Sequence, residues 1–288
     1  MITIGGICLI AFTLYEGYMA KLPIMPWRLF KRRSSAIILV QGLLHDFVWQ
    51  ATQYFIPLYL QTVRGYTPLQ SATLILPFLL AQTIAGASTG PVMFKTARYN
   101  PVLRTGFIAW TLGAALKLIF SRNTPIAAYV CILAIEGLGS GWVHQPGLVA
   151  LQALSTPEDR AVATSTRNLL RSLGGVAGVA VSTAVQFSVT EKALRKRVSA
   201  EIAGEVLAGR WAVGDGFKAH VMDARMQGFQ AVFAVSVPLI AICLVGSAFV
   251  DDEVLRGDRE EERGCLTEDR GGRVEEKPVL LGRFSWEG

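Results

Sequence analysis

Apolar residues fall along this chain in blocks of about twenty, separated by shorter polar segments. The block around which the chain is organised runs from Ala36 to Leu60 and contains 25 residues. As a helix it would be about 37 Å long at 1.5 Å per residue, which is enough to cross a ~30 Å hydrocarbon layer with some tilt. We therefore predict a membrane span.

Six blocks are long enough to be full spans, and a seventh, at the start of the chain, is partial. The predicted full spans are 36–60, 69–93, 102–120, 126–151, 161–189 and 230–250. Residues 1–18 are the partial span, because Met1 opens directly into an apolar run, as in a helix whose upstream protein is missing. The predicted fold class is an all-α membrane protein with six full transmembrane helices and one partial N-terminal span.

Charge is distributed as unevenly as hydropathy. Residues 19–35 contain five Lys and Arg, which predicts a basic cytoplasmic linker. Residues 251–288 hold 12 of the 22 acids and few apolar residues, so we expect a disordered acidic cytoplasmic tail. The segment 190–227 is predicted to be an outer loop. Its seven Lys and Arg make the inner and outer counts equal, so the short loops decide the orientation.

Composition and motifs exclude several classes of function. The pI of 9.3 suggests nucleic-acid binding, but the basic residues cluster between apolar blocks, where they set membrane orientation. Four Cys without a CxxC pattern and three His without HExxH predict no metal site or cofactor. An intramembrane enzyme built on the adjacent His45 and Asp46 is disfavoured, because neighbouring side chains point about 100° apart on a helix. We therefore expect a protein that is not an enzyme and binds no nucleic acid.

A polar stripe runs along the first full span. At 100° per residue its members lie within about 80° of one another; they are Asp46, Gln50, Gln53, Pro57 and Gln61. An ionised group at the centre of a span costs at least ~2.5–3.5 kcal/mol on insertion scales, so the stripe has to avoid lipid. One interpretation is the wall of a substrate pathway, with Asp46 as a carboxyl that takes and releases a proton. The other is a set of interhelical hydrogen bonds.

Glu136 is a second acid within a predicted span, and His144 lies about 80° from it around the same helix. The two could form a proton relay, whereas the neighbouring glycines favour close helix packing. Glu136 is therefore the second candidate for proton coupling, and His144 joins Gln50, Gln53 and Gln61 as a candidate pathway residue.

Small residues at four-residue spacing predict two close helix contacts. The pairs are Gly86 with Gly90, followed by Pro91, and Gly174 with Gly178. Arg167 and Arg171 precede the second pair, and we expect both side chains to snorkel to the cytoplasmic interface as anchors.

Several stretches together resemble the C-terminal part of fungal major facilitator transporters, and most closely the fourteen-span drug:proton antiporters. They are YFIPLYLQTVRGYTPLQSATLILPF, TARYNP, GLVALQAL and ATSTRNLLRSLGGVAGVAVS. The resemblance implies that the partial span ends the second of two extra helices and that the six full spans form the C-terminal six-helix domain. The family also carries a long outer loop before its last helix. Gly86 and Gly90–Pro91 match part of its antiporter glycine motif.

The resemblance implies proton-coupled efflux of hydrophobic small molecules, such as drugs or fungal toxins, and hence multidrug resistance. The implied partners are the lipid bilayer, the substrate and protons, together with a missing N-terminal domain or a second subunit. The implied location is the plasma membrane, with several membrane passes and a cytoplasmic C-terminus. In this fold the substrate site lies between two halves, so one half is not expected to perform alternating access alone. The alternative is a transport-inactive truncated protein or a partner-binding half.

Overall fold

A computed structural model describes residues 28–96, 98–156, 159–196 and 215–250, and these ranges contain helices and no strand. The helices are α1 Arg28–Lys31, α2 Arg33–Thr62, α3 Pro68–Thr96, α4 Asn100–Leu116, α5 Ile126–Ala153, α6 Arg160–Arg195 and α7 Asp215–Ala248. A 3-10 turn, Lys117–Ile119, extends α4. The predicted all-α class is confirmed. The predicted partial span 1–18 and tail 251–288 lie outside the described residues, as does the linker before Arg28.

Five helices of the described part are long and apolar enough to cross a membrane. They are α3, α4 with its 3-10 turn, α5, α6 and residues Ala219–Ala248 of α7. The helix α2 has 30 residues but is not among the five. Its polar stripe from Asp46 to Gln61 lowers its hydropathy. Length and hydropathy therefore support five of the six predicted full spans. That α2 is the sixth stays a prediction.

The helices extend beyond the predicted apolar blocks. The helix α6 continues to Arg195, and α7 begins at Asp215, so both ends of the predicted outer loop 190–227 are helical. At the end of α6, Arg195 forms an ion pair with Glu191 one turn earlier, at 2.7 Å. Such i,i+4 pairs and basic residues near a C-terminus stabilise a helix in water, where hydropathy gives no signal.

Most of the large helix contacts join helices that are not consecutive in the chain, and the contact between α4 and α5 is the main exception. The helix α2 packs on α6, α3 packs on α5, and α4 lies between α5 and α7. Aromatic side chains fill the core near the C-terminal end of α2, where Tyr59 stacks on Phe120 with ring centroids 6.2 Å apart. The Tyr59 hydroxyl donates a 2.7 Å hydrogen bond to the Ser121 carbonyl. This bond ties α2 to the segment that follows α4.

Glycines decide how closely α2 and α6 approach. A Cβ on Gly174 would collide with the Leu43 carbonyl oxygen, and one on Gly178 with the Phe47 carbonyl oxygen. The two backbones are therefore in direct contact at both positions, and any larger residue would separate them.

The other predicted pair, Gly86 and Gly90, does not bring described helices together. Among the described residues, no heavy atom beyond the adjoining backbone of α3 lies within 4 Å of a Cβ placed on either residue. The face of α3 that packs on α5 instead carries Ala81 and Ala85, which lie against Gly137 and Gly141. The spacing of Gly86 and Gly90 identified one small-residue face of α3, but α5 packs against a different face, the one that carries Ala81 and Ala85.

Candidate functional site

An ion pair joins the middle of α2 to α6. Arg171 Nη2 lies 2.6 Å from Asp46 Oδ1, and Arg171 Nε donates to the same oxygen at 3.1 Å. The Asp46 side chain is 14% exposed and that of Arg171 is 17% exposed. Arg171 Nη1 is also 2.7 Å from His144 Nε2. Because a guanidinium has no acceptor, this ring nitrogen has to accept the hydrogen bond.

Three glycines let the two arginine stems enter the bundle. Gly174, one turn beyond Arg171, allows the contact between α2 and α6 described above. A Cβ on Gly42 would lie 3.5 Å from Arg171 Cγ and 3.7 Å from Arg167 Cγ, so the stems pass over this bare position. A Cβ on Gly147 of α5 would lie 3.6 Å from Arg167 Nη2.

Arg167 is buried, with 4% of its surface exposed. Its Nη2 donates a 2.9 Å hydrogen bond to the His144 carbonyl oxygen, and its Nε has no partner in the described residues. The expectation that Arg167 and Arg171 snorkel to the cytoplasmic interface is therefore wrong. The close approach of α6 to α2 turns this face of α6 inward, toward Asp46 and α5.

A second ion pair lies wholly inside the bundle. Lys117 Nζ is 2.6 Å from Glu136 Oε1, and neither side chain has any exposed surface. Thr52 accepts a 3.0 Å hydrogen bond from Lys117 Nζ, and its hydroxyl lies 3.4 Å from Glu136 Oε1. Trp110 Nε1 also donates to Glu136 Oε1 at 3.4 Å, while Glu136 Oε2 has no partner in the described ranges.

Aromatic rings connect the two ion pairs. The His45 ring centroid lies 4.6 Å from that of Trp110 and 5.9 Å from that of His144, both in edge-to-face geometry. The Trp110 indole reaches Glu136, and the His144 ring reaches Arg171. The polar interior is therefore one connected set of contacts. The proton-relay interpretation requires Glu136 and His144 to contact each other. Instead, Glu136 pairs with Lys117 and His144 contacts Arg171.

The glutamines of the stripe lie on the open side of α2. Gln50 and Gln61 are exposed and Gln53 is half-buried, and none of the three has a hydrogen bond within the described part of the chain. Gln50 packs its stem against Gly175, one turn beyond Arg171. The interpretation of the stripe as interhelical hydrogen bonds therefore has no support from these three residues.

Sequence reasoning missed the cations that pair with the two acids. The position of Lys117 within the predicted span 102–120 was the available signal, since a charge within a span needs a partner. The positions of Thr52 and Trp110 carried no such signal. In the described residues no group of three or more His, Cys, Asp and Glu is arranged to hold a metal ion.

Comparison with known proteins gives a consistent set of relatives. The profile described as "Major Facilitator Superfamily" matches residues 3–179. Citrate exporter 1 of Yarrowia lipolytica is 33% identical over 262 residues, covering 89% of this chain and 39% of the exporter. The MFS-type transporter ppz2 of Metarhizium majus is 30% identical, covering 93% of this chain and 50% of the transporter. The efflux pump FUS6 of Gibberella fujikuroi is 27% identical, covering 100% of this chain and 53% of the pump.

The chain thus spans about half the length, or less, of these curated relatives. Each relative carries the name of an exporter, a transporter or a pump. A solved structure with a similar fold is that of a bacterial homolog of the human lysosomal transporter Spinster, in an inward-facing and occupied conformation. It has a TM-score of 0.58 and 15% sequence identity, covering 77% of this chain and 50% of that one. At this identity the match shows the fold alone.

Proposed function

The chain belongs to the major facilitator superfamily, and from this premise we propose that it is the C-terminal half of a proton-coupled exporter of hydrophobic small molecules. It is a multi-pass membrane protein, by its family and by its apolar helices. Drugs and fungal toxins are the proposed substrates. The names of the efflux-pump relatives support export, while the citrate exporter adds an organic acid to the substrates that have to be tested.

The observation that carries the proposal is the ion pair between Asp46 and Arg171. A proton-coupling carboxyl has to exchange its proton with water, and Asp46 is partly exposed. Protonation would remove the charge from two hydrogen bonds that join α2 to α6, which weakens the link between these helices. The protonation state of Asp46 would thereby bias the arrangement of the domain.

Glu136 remains the second candidate for proton coupling. Its side chain has no exposed surface, and Lys117 neutralises its charge. A proton could reach it only after the surrounding helices separate. We therefore rank Asp46 first.

Gln50, Gln53 and Gln61 extend the polar surface from Asp46 along the open side of α2. Polar side chains of a membrane domain avoid lipid, and in this fold the substrate site lies between two halves. We propose that these glutamines face a second half and line the substrate pathway. His144 would act on the pathway through Arg171, which its ring contacts directly.

The test is export of a fluorescent hydrophobic dye from yeast cells that lack their own efflux pumps. Cells expressing the chain, with or without a pH gradient, are compared with cells expressing Asp46→Asn. The variant should reach the membrane in equal amount and lose the component of export that depends on the gradient. Asp223→Asn is the matched control, since Asp223 forms an exposed pair with Arg122 far from Asp46 in the chain and should leave export intact.

Two outcomes would contradict parts of the proposal. Unchanged export by Asp46→Asn removes Asp46 from proton coupling. No export by the unaltered chain supports the alternative, a transport-inactive protein or a half that needs a partner. That alternative has its own support, because the chain matches only 39–53% of the length of the relatives named above. Sequencing the 5′ ends of the transcripts separates a longer reading frame from a short gene product.

For location we propose the plasma membrane, with the C-terminus in the cytoplasm. A fluorescent C-terminal fusion and protease digestion of intact cells test both points. If the protease removes the C-terminal tag from intact cells, the C-terminus lies outside the cell and the proposed orientation is wrong.

A further inference from the structure

The junction of α2, α5 and α6 carries more positive than negative charge. Arg171 and Asp46 neutralise each other, and both Nε and Nη2 of Arg171 point to Asp46 Oδ1. Arg167 lies beside them on α6, and no carboxylate of the described residues pairs with it. The junction thus holds one cation in excess within a membrane domain, where an unpaired charge is costly.

The buried guanidinium of Arg167 is also short of acceptors. Its surface is 4% exposed, and its described hydrogen bond is the one from Nη2 to the His144 carbonyl oxygen. Its Nε is completely buried and has no acceptor among the residues that the structure describes. A guanidinium carries five N–H donors in a planar fork, so the described residues leave donors of Arg167 for a further acceptor. His45, which faces His144, likewise has a buried Nε2 without a partner in the described part of the chain.

The junction is reachable from the open side of α2. Asp46 and Arg171 are each partly exposed, and Gln50 and Asn168, near them on the same two helix faces, are exposed. Apart from the paired Asp46 and Arg171, the exposed side chains named at this opening are polar and uncharged. A small anion can approach Arg167 and Arg171 without passing another acid on these two faces.

We propose that Arg167 and Arg171, both held by His144, form a binding site for the carboxylate group of a small organic acid. The planar fork of a guanidinium matches a carboxylate, and Arg171 already presents its fork to the carboxylate of Asp46. A bound carboxylate neutralises the excess charge and supplies acceptors to Arg167. The site rests on the proposed function and deepens it, because it shares the pair of Asp46 and Arg171 and adds a class of ligand, but its binding can be measured without export.

The site ties anion binding to the charge of Asp46. An ionised Asp46 repels an incoming carboxylate and competes with it for Arg171. Removing that negative charge, by protonation or by Asp46→Asn, frees Arg171 and strengthens anion binding. Proton and carboxylate therefore bind cooperatively here. The same sign follows for any organic acid that uses this site.

The experiment measures binding to the purified 288-residue chain in detergent, so it needs no transport. The probes are benzoate and benzamide, which have nearly the same shape and differ in charge, together with inorganic phosphate. Thermal unfolding is followed by intrinsic fluorescence as each probe is added. Benzoate should raise the Tm in a saturable way, benzamide should not, and phosphate should act more weakly than benzoate.

Four variants locate the site. Arg167→Gln should lose the benzoate effect, and Arg167→Lys should keep part of it, because the charge remains without the planar fork. Asp46→Asn should bind benzoate at least about tenfold more tightly, as expected when a charge-assisted hydrogen bond no longer competes. Arg160→Gln is the matched control, because Arg160 lies on the same helix but is exposed, and it should behave as the unaltered chain.

The proposal is overturned if benzoate leaves the Tm of the unaltered chain unchanged, or if Arg167→Gln responds as strongly as the unaltered chain. An equal or larger effect of phosphate would make the site one for inorganic anions. Size-exclusion chromatography shows whether Arg167→Gln is folded. If it is not folded, the benzoate affinities of Arg167→Lys and Asp46→Asn still test the proposal. An unchanged benzoate affinity in Asp46→Asn refutes the competition between Asp46 and the ligand for Arg171. A failed dye-export assay with intact benzoate binding would refute the proposed function alone.

Discussion

Removing Lys117 should destabilise the domain more than almost any other single substitution. The Lys117 and Glu136 side chains are fully buried, and their charged atoms are 2.6 Å apart. In Lys117→Met, Glu136 keeps only the contacts from Thr52 and Trp110, both at 3.4 Å. Breaking one partner of a buried pair typically costs about 3–5 kcal/mol, because the other charge stays in a medium of low polarity.

The same reasoning predicts that the second substitution repairs the first. Lys117→Met combined with Glu136→Gln removes both charges and keeps a side chain of similar volume at each position. Replacing a whole buried pair by neutral groups is often close to neutral in stability. We expect the free energy of unfolding of the double variant to lie within about 2 kcal/mol of the unaltered chain, so the effects are strongly non-additive.

The assay is unfolding of the purified chain in mixed micelles by increasing SDS, followed by far-UV circular dichroism. The exposed pair of Arg195 and Glu191, one helical turn apart, provides the control. Arg195→Gln should change the free energy of unfolding by less than about 0.5 kcal/mol. The reasoning is refuted if Lys117→Met costs no more than this control, or if the double variant loses the sum of the two single effects.

Three smaller effects follow from the packing. Gly174→Leu should lower the free energy of unfolding by about 1–3 kcal/mol or more, because the new side chain meets the Leu43 carbonyl; an unchanged unfolding curve would contradict the contact. The new Cβ of Gly90→Ala meets no other described part of the chain within 4 Å, so this variant should stabilise the helix by up to ~1 kcal/mol, measured in the same way. Tyr59→Phe loses the 2.7 Å hydrogen bond to Ser121 and should cost about 0.5–1.5 kcal/mol, and no loss would mean that water replaces it.

Much of the fold was predictable because its main signal is local. A block of about twenty apolar residues can satisfy its backbone in a membrane only as a helix or a closed barrel, so each block predicts an element by itself. The helix ends were less predictable, since the polar extensions at Arg195 and Asp215 carry no hydropathy signal. The signal that singles out Asp46 and Glu136 is also local, because each is an acid inside a predicted span.

The partners of those acids were not predictable from the sequence alone. Arg171 is 125 residues from Asp46 in the chain, and Lys117 is 19 residues from Glu136 on a different helix. Helical spacing places residues on a face of one helix, but it does not say which neighbour that face meets. For this reason Arg167 and Arg171 were interpreted as interfacial anchors, and Gly86 and Gly90 as a packing face.

The sequence by itself determined that this chain is an all-α membrane protein and which polar residues within its spans need an explanation. Composition and periodicity are enough for that, because a charge near the middle of a span is costly wherever lipid surrounds it, and its position along the helix can be read from the sequence. The tertiary structure alone decided that the bare backbone at Gly174 and Gly178 presses α6 against α2. That contact turns two arginines inward, where one neutralises Asp46 and the other has no carboxylate partner among the described residues.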